Sequence, residues 1–152
     1  MARSTFVYVT YIRTTPEKLW SALTDAEFMK QYWFGMHCES RWTAGSPWKM
    51  VSEDGQITDS GEIVEAEKPR RMVIRWQHQR RPELKAEGPS LCAIDLEPAG
   101  EAVKLTITHG IEREPSMLVE AVSGGWPKIL SNLKSLLETG SLAIQTNIAK
   151  CA

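Results

Sequence analysis

Leu118, Val119, Val122, Trp126, Ile129, Leu130, Leu133, Leu136 and Leu137 recur along residues 116–140 at gaps that put them on one stripe of an α-helix. Lys128, Ser131, Asn132, Lys134, Ser135 and Glu138 fall mostly on the other side. Gly140 is suited to stop the helix, because glycine adopts the left-handed conformation without steric cost. Gly124, Gly125 and Pro127 interrupt the pattern, and a proline inside a helix removes an amide donor and crowds the preceding turn. The pattern therefore predicts a short lead-in, a kink or restart at 123–127, and then a helix of about three turns.

The rest of the chain supplies a surface for that helix. Residues 5–13 are β-branched and aromatic with no breaker and predict a strand. Thr15 as cap and Pro16 at the first position start a short helix with Leu19, Trp20 and Leu23 on its apolar side. Asp25 starts a second, with Phe28, Met29, Tyr32 and Trp33. From there the period becomes strand-like. Strands are expected at 36–42, 47–52, 58–66 (with Gly61 as a bulge position), 71–79, 90–97 and 102–110, and residues 80–89 are expected to form a charged loop. The order predicts an α+β fold: an antiparallel meander with the first strand at an edge, wrapped around the long C-terminal helix. One domain over 1–140 and a tail over 141–152 are expected. The tail, apolar at Leu142, Ile144 and Ile148, could pack back, pair with a second copy or fray.

Alternation sorts the later strands. Met72, Ile74, Trp76 and His78 share one face, as do Cys92, Ile94 and Leu96, and Val103, Leu105, Ile107 and His109. Arg75, Gln77, Asp95, Glu97, Lys104, Thr106 and Thr108 take the solvent side.

Composition narrows the classes. A net charge of -1 and no basic stripe argue against a nucleic-acid partner. No apolar run is long enough for a membrane helix, and the start of the chain lacks a signal-peptide pattern. Three cysteines without metal-type spacing predict reduced thiols in a cytoplasmic protein, and Cys38 and Cys92 suit small buried positions. Neither a P-loop, nor GxSxG, nor GxGxxG occurs, and no cofactor is expected. Lys68, Arg70, Arg71, Arg75, Arg80, Arg81 and Lys85 are interleaved with acids, as on a solvated face, although such a face could also dock a protein.

Candidate chemistry rests on histidines and tryptophans. His78 and His109 are expected to point inward, where Glu65 or Asp95 could complete a metal site or a carbonyl-polarising group; satisfied core histidines are the plainer reading. Six tryptophans are many for a chain this short. Trp42, Trp48, Trp76 and Trp126 fall on elements expected to surround the space between sheet and helix, either as bulky core or as walls of an apolar pocket. A kink at 123–127 would bow the helix away and leave space beneath it.

Several stretches then resemble the family of activators of heat-shock protein 90 ATPase homologues, within the START-like superfamily. They are Thr15-Pro16-Glu17-Lys18-Leu19-Trp20, Leu23-Thr24-Asp25, Tyr32-Trp33-Phe34-Gly35, Gly61-Glu62-Ile63-Val64-Glu65, Pro69-Arg70-Arg71-Met72-Val73 with Trp76, Thr106-Ile107-Thr108-His109, and Gly125-Trp126-Pro127-Lys128-Ile129-Leu130. The resemblance spans about residues 5–140 and implies a helix-grip fold. It does not single out an activity, because the superfamily includes carriers, cyclases and co-chaperone domains. The leading expectation is a binding protein for a hydrophobic small molecule, with Trp48, Met50, Ile74, Trp76, His78, Ile94, Ile107, His109, Trp126 and Leu130 lining the cavity. The alternatives are a module that regulates a chaperone ATPase, and a cyclase-like or hydrolytic enzyme using a cavity histidine. Either a monomer or a homodimer is compatible with the sequence.

Overall fold

The computed structural model describes residues 3–144. Its elements are β1 (Ser4–Ile12), α1 (Pro16–Thr24), α2 (Ala26–Tyr32), β2 (His37–Ser40), β3 (Pro47–Val51), β4 (Ile57–Glu67), β5 (Arg71–His78), α3 (Pro82–Lys85), β6 (Ser90–Ala99), β7 (Ala102–Ile111) and α4 (Met117–Thr139). The strands form one antiparallel sheet in the order β1-β7-β6-β5-β4-β3-β2. This is the meander expected from the short turns, with β1 returning to the edge beside β7. The result is the α+β helix-grip arrangement.

The helix starts follow from side-chain caps. Thr15 accepts from the Lys18 amide at 3.2 Å, Asp25 from Phe28 at 3.1 Å and Ser116 from Val119 at 3.1 Å, each satisfying a donor that the helix cannot. At the far end of α4, Gly140 takes φ 85°, and its amide closes on Leu136 O.

Three local expectations are corrected. First, α4 runs unbroken through Pro127. Trp126, Ile129, Leu130 and Leu133 are all buried, and each such side chain contributes about 1.5–3 kcal/mol. Together they outweigh the roughly 3 kcal/mol that an internal proline costs. Second, the charged stretch 80–89 contains a short helix, with Pro82 in its first turn and Leu84 buried. Third, the register shifts in β4 fall at Thr58 against β3 and between Ile63 and Glu65 against β5, rather than at Gly61. Gly61 instead permits a close approach between strands. A Cβ there would stand 1.7 Å from Arg75 O, so only glycine admits β5 at this distance.

The core lies between the inward sheet face and α1, α2 and α4. The alternation read from the sequence holds: Met72, Ile74, Trp76, Ile94, Leu96, Leu105 and Ile107 are buried. On the opposite face Arg71 bridges Glu65 and Asp95. Cys38 and Cys92 are free and buried, while Cys151 lies outside the described residues. The start of the tail turns back along α4. The carboxamide of Asn132, 0% exposed, donates to Ile144 O at 3.0 Å and accepts from Ile144 N at 2.7 Å. Leu142 packs against the core beside it.

Candidate functional site

The candidate site occupies the inward face of β3, β4 and β5, beneath α2 and α4. Trp48 stands opposite Gly61, and Gly61 stands opposite Trp76. With no side chain on the strand between them, the two indoles meet at a centroid distance of 4.5 Å. Trp76 continues to Trp126 at 6.0 Å, and Trp126 to Trp33 at 5.4 Å, so four indoles form one chain across the interior. Trp33, Trp76, Val122, Trp126 and Ile129 line a small, partly open void of about 10 Å³, room for roughly one water molecule. The unbroken α4 accounts for its size, since no bowed segment holds the helix off the sheet.

One strand row further along, Met50, Asp59 and His78 face one another in register. Asp59 Oδ2 accepts from Trp76 Nε1 at 2.6 Å and pairs with His78 Nδ1 at 3.0 Å. Asp59 and His78 are each only 3% exposed. A carboxylate this deep requires donors around it, and Trp76 and His78 supply them. His78 Nε2 is buried without a hydrogen-bond partner, whereas the Trp48 indole N–H faces the Cys38 thiol.

His109 is handled differently. The Trp126 indole can only donate, so His109 Nδ1 accepts from it at 3.2 Å. The ring proton then lies on Nε2 and is donated to Ser90 Oγ at 2.8 Å, and the Ser90 hydroxyl donates to Trp76 O at 3.3 Å. Burial pushes the His109 pKa down to about 4, against the pull of the Asp59 charge, so the ring is neutral at physiological pH. Burial also drives the Cys38 and Cys92 thiols far above their ordinary range. Neither supplies a thiolate nucleophile.

Trp48, Met50, Ile74, Trp76, His78, Ile94, Ile107, His109, Trp126 and Leu130 are all buried on the facing surfaces of sheet and helix. Two expected companions are elsewhere. Glu65 and Asp95 are engaged by Arg71 on the outer face, so neither completes a site with the histidines. Trp42, at φ 59°, lines a surface groove with Trp20, Arg41 and Lys68 rather than the interior. Sequence reasoning missed Asp59, Ser90 and Trp33. Asp59 lies in the polar run Thr58-Asp59-Ser60 and reads as solvent-facing until the register sets it against His78. No cluster of three metal-ligating side chains occurs among the described residues.

One end of the site is closed by the 79–89 segment. Leu84 is buried under it, and Glu87 caps α4, accepting from Ser116 Oγ at 2.7 Å, Met117 N at 2.7 Å and Leu118 N at 3.3 Å. Burial alone would raise the Glu87 pKa, but these donors hold the carboxyl below its usual value.

The family model described as Activator of Hsp90 ATPase homolog 1-like protein matches residues 13–138. The chain belongs to this family. Family membership agrees with the architecture of similar solved structures. A protein from Mesorhizobium loti aligns with TM-score 0.77 at 20% identity, covering 91% of this chain and 100% of its own. A heat-shock protein 90 activator from Plasmodium falciparum aligns with TM-score 0.71 at 22% identity, covering 88% and 95%. The Aha1 dimer from Colwellia psychrerythraea aligns with TM-score 0.71 at 22% identity, covering 90% and 98%. At these identities the likeness establishes the shared fold. No curated protein matches the sequence significantly. No helix among the described residues is long and apolar enough to cross a membrane.

Proposed function

We propose that this family member binds an apolar or aromatic small molecule between its sheet and α4, working as one domain over 1–140. The observation that carries this reading is the aromatic interior around Asp59 and His78, where His78 Nε2 is buried without a partner. A purely structural core satisfies its buried polar atoms, and those left open are the usual anchors of a ligand. The void between Trp76 and Trp126 admits one water, so binding requires α4 or the 79–89 segment to move outward. The test is titration with fatty acids, sterols, flavonoids and polyketide-like aromatics, followed by tryptophan emission and melting temperature. Saturable quenching at micromolar ligand together with a raised melting temperature is expected. A flat response across the panel would remove this reading.

A second reading is a protein module that regulates a chaperone ATPase. It is favoured by the family description and by similarity to a structure named as a heat-shock protein 90 activator. Co-purification of a chaperone ATPase with the chain, together with a change in its ATP turnover, is the outcome expected on that reading.

A further inference from the structure

The turn between β2 and β3 holds a tryptophan in a backbone conformation that bulky side chains avoid. Trp42 has φ 59°, in the left-handed region where Cβ crowds the backbone. The turn is tied into place on both sides. Trp42 N donates to Ser40 Oγ at 3.0 Å, and Ser46 Oγ donates to Thr43 O at 2.6 Å. Gly45 N donates to Ile63 O at 2.7 Å, and Ile63 N donates to Ser46 O at 2.9 Å, which fastens the turn to β4. What the conformation achieves is to put Trp42 on the wall of the same surface groove as Trp20, a space of about 430 Å³.

Arg41 and Lys68 line that groove as well, and no acidic residue does. The acids beside them in the chain are engaged elsewhere: Glu39 with His37 and Lys49, and Glu67 with Arg70. Neither Arg41 nor Lys68 forms an ion pair among the described residues. We propose that this groove is a second binding site, for a small aromatic anion. Its ring would lie against the two indoles, and its carboxylate or phosphate would meet Arg41 and Lys68. A guanidinium fork matches two oxygens of either group, and the indoles supply the flat apolar wall. The volume is in the range of small-molecule sites, roughly 300–1,000 Å³. The groove on the outer sheet face offers no such charge, because its Arg70 and Arg71 are already paired with its own Glu67 and Asp95. No residue lines both the Trp42 groove and the interior void, so this site is independent of the reading above.

The test uses naphthoate, naphthyl phosphate and neutral naphthalenemethanol, which share one ring system. At low salt at least one anion is expected to bind roughly fivefold or more tightly than the alcohol, an advantage that shrinks as salt rises. In ¹⁵N-labelled protein the indole resonances of Trp20 and Trp42 should shift, while those of Trp76 and Trp126 stay. Arg41→Gln combined with Lys68→Gln should abolish the preference for anions. Both side chains are exposed, so this variant should keep the native near-ultraviolet circular dichroism. Trp42→Gly suits the left-handed backbone but removes a wall, and it should weaken all three probes. Equal affinity for anions and alcohol would overturn the anionic class. Shifts confined to Trp76 and Trp126 would overturn the groove and support the interior site instead. If no probe moves any indole at millimolar concentration, the groove is overturned, whatever the wider panel shows for the interior.

Discussion

His109 and His78 share one buried face, yet their surroundings differ in kind. Around His109 every polar atom is spoken for: Trp126 donates to one nitrogen, Ser90 accepts from the other, and the Ser90 hydroxyl ends on a strand carbonyl. Around His78 a charged partner holds one nitrogen and leaves the other open. The first is a closed network of neutral groups, which specifies packing. The second keeps unused hydrogen-bonding capacity, which is where recognition can occur. Two histidines with the same burial therefore make different demands on their neighbours, and partner inventory separates them where exposure does not.

The sharpest way to break this comparison is Gly61→Ala. The added methyl would collide with Arg75 O, so β4 and β5 must separate. A loss of about 4 kcal/mol or more is expected, measured by denaturant unfolding, or no folded protein at all. Both networks should then collapse together, since Trp76 connects them.

Next in size is the pH response of His109. Its pKa falls from 6.5 in the unfolded chain to about 4 in the folded one. The unfolded state therefore takes up the proton first as pH drops. Stability from this group is complete above pH 6.5 and is lost progressively down to about 4, a decline on the order of 3 kcal/mol. His109→Leu should abolish that slope. It should also cost about 2–3 kcal/mol at neutral pH, because Ser90 and Trp126 lose their partner. A slope that survives in the variant would place the titrating group elsewhere.

The smallest expected effect concerns the closing segment. Glu87→Gln keeps the shape but weakens the cap on α4, for a loss of about 1 kcal/mol. Hydrogen exchange should quicken across 82–89 and the first turn of α4 while the β6–β7 hairpin stays protected. If exchange rises evenly over the whole chain, the segment does not open independently.

Much of this fold was legible because local signals agreed with one another. Thr15-Pro16, Asp25 and Gly140 mark helix ends by their own chemistry, and the alternation from Met72 to His78 and from Val103 to His109 assigns faces without knowledge of partners. The misreadings arose where a distant contact decided the outcome. Pro127 suggests a broken helix until the packing of its neighbours is weighed. Gly61 resembles a bulge until the approach of Arg75 O is seen. Glu65 and Asp95 looked available to the histidines because nothing local reveals that Arg71 holds them on the opposite face. Asp59 escaped notice for the converse reason, since its role exists only through the register that brings His78 opposite it.

The chain of indoles from Trp48 through Trp76 and Trp126 to Trp33 has an optical consequence. Rings this close share excitation, so light absorbed by one can be emitted by another, and their coupled transitions give paired bands of opposite sign in circular dichroism. The four indoles are thus expected to respond together rather than singly. Replacing any one member should reshape the whole near-ultraviolet spectrum, which makes that spectrum a sensitive gauge of sheet-to-helix spacing.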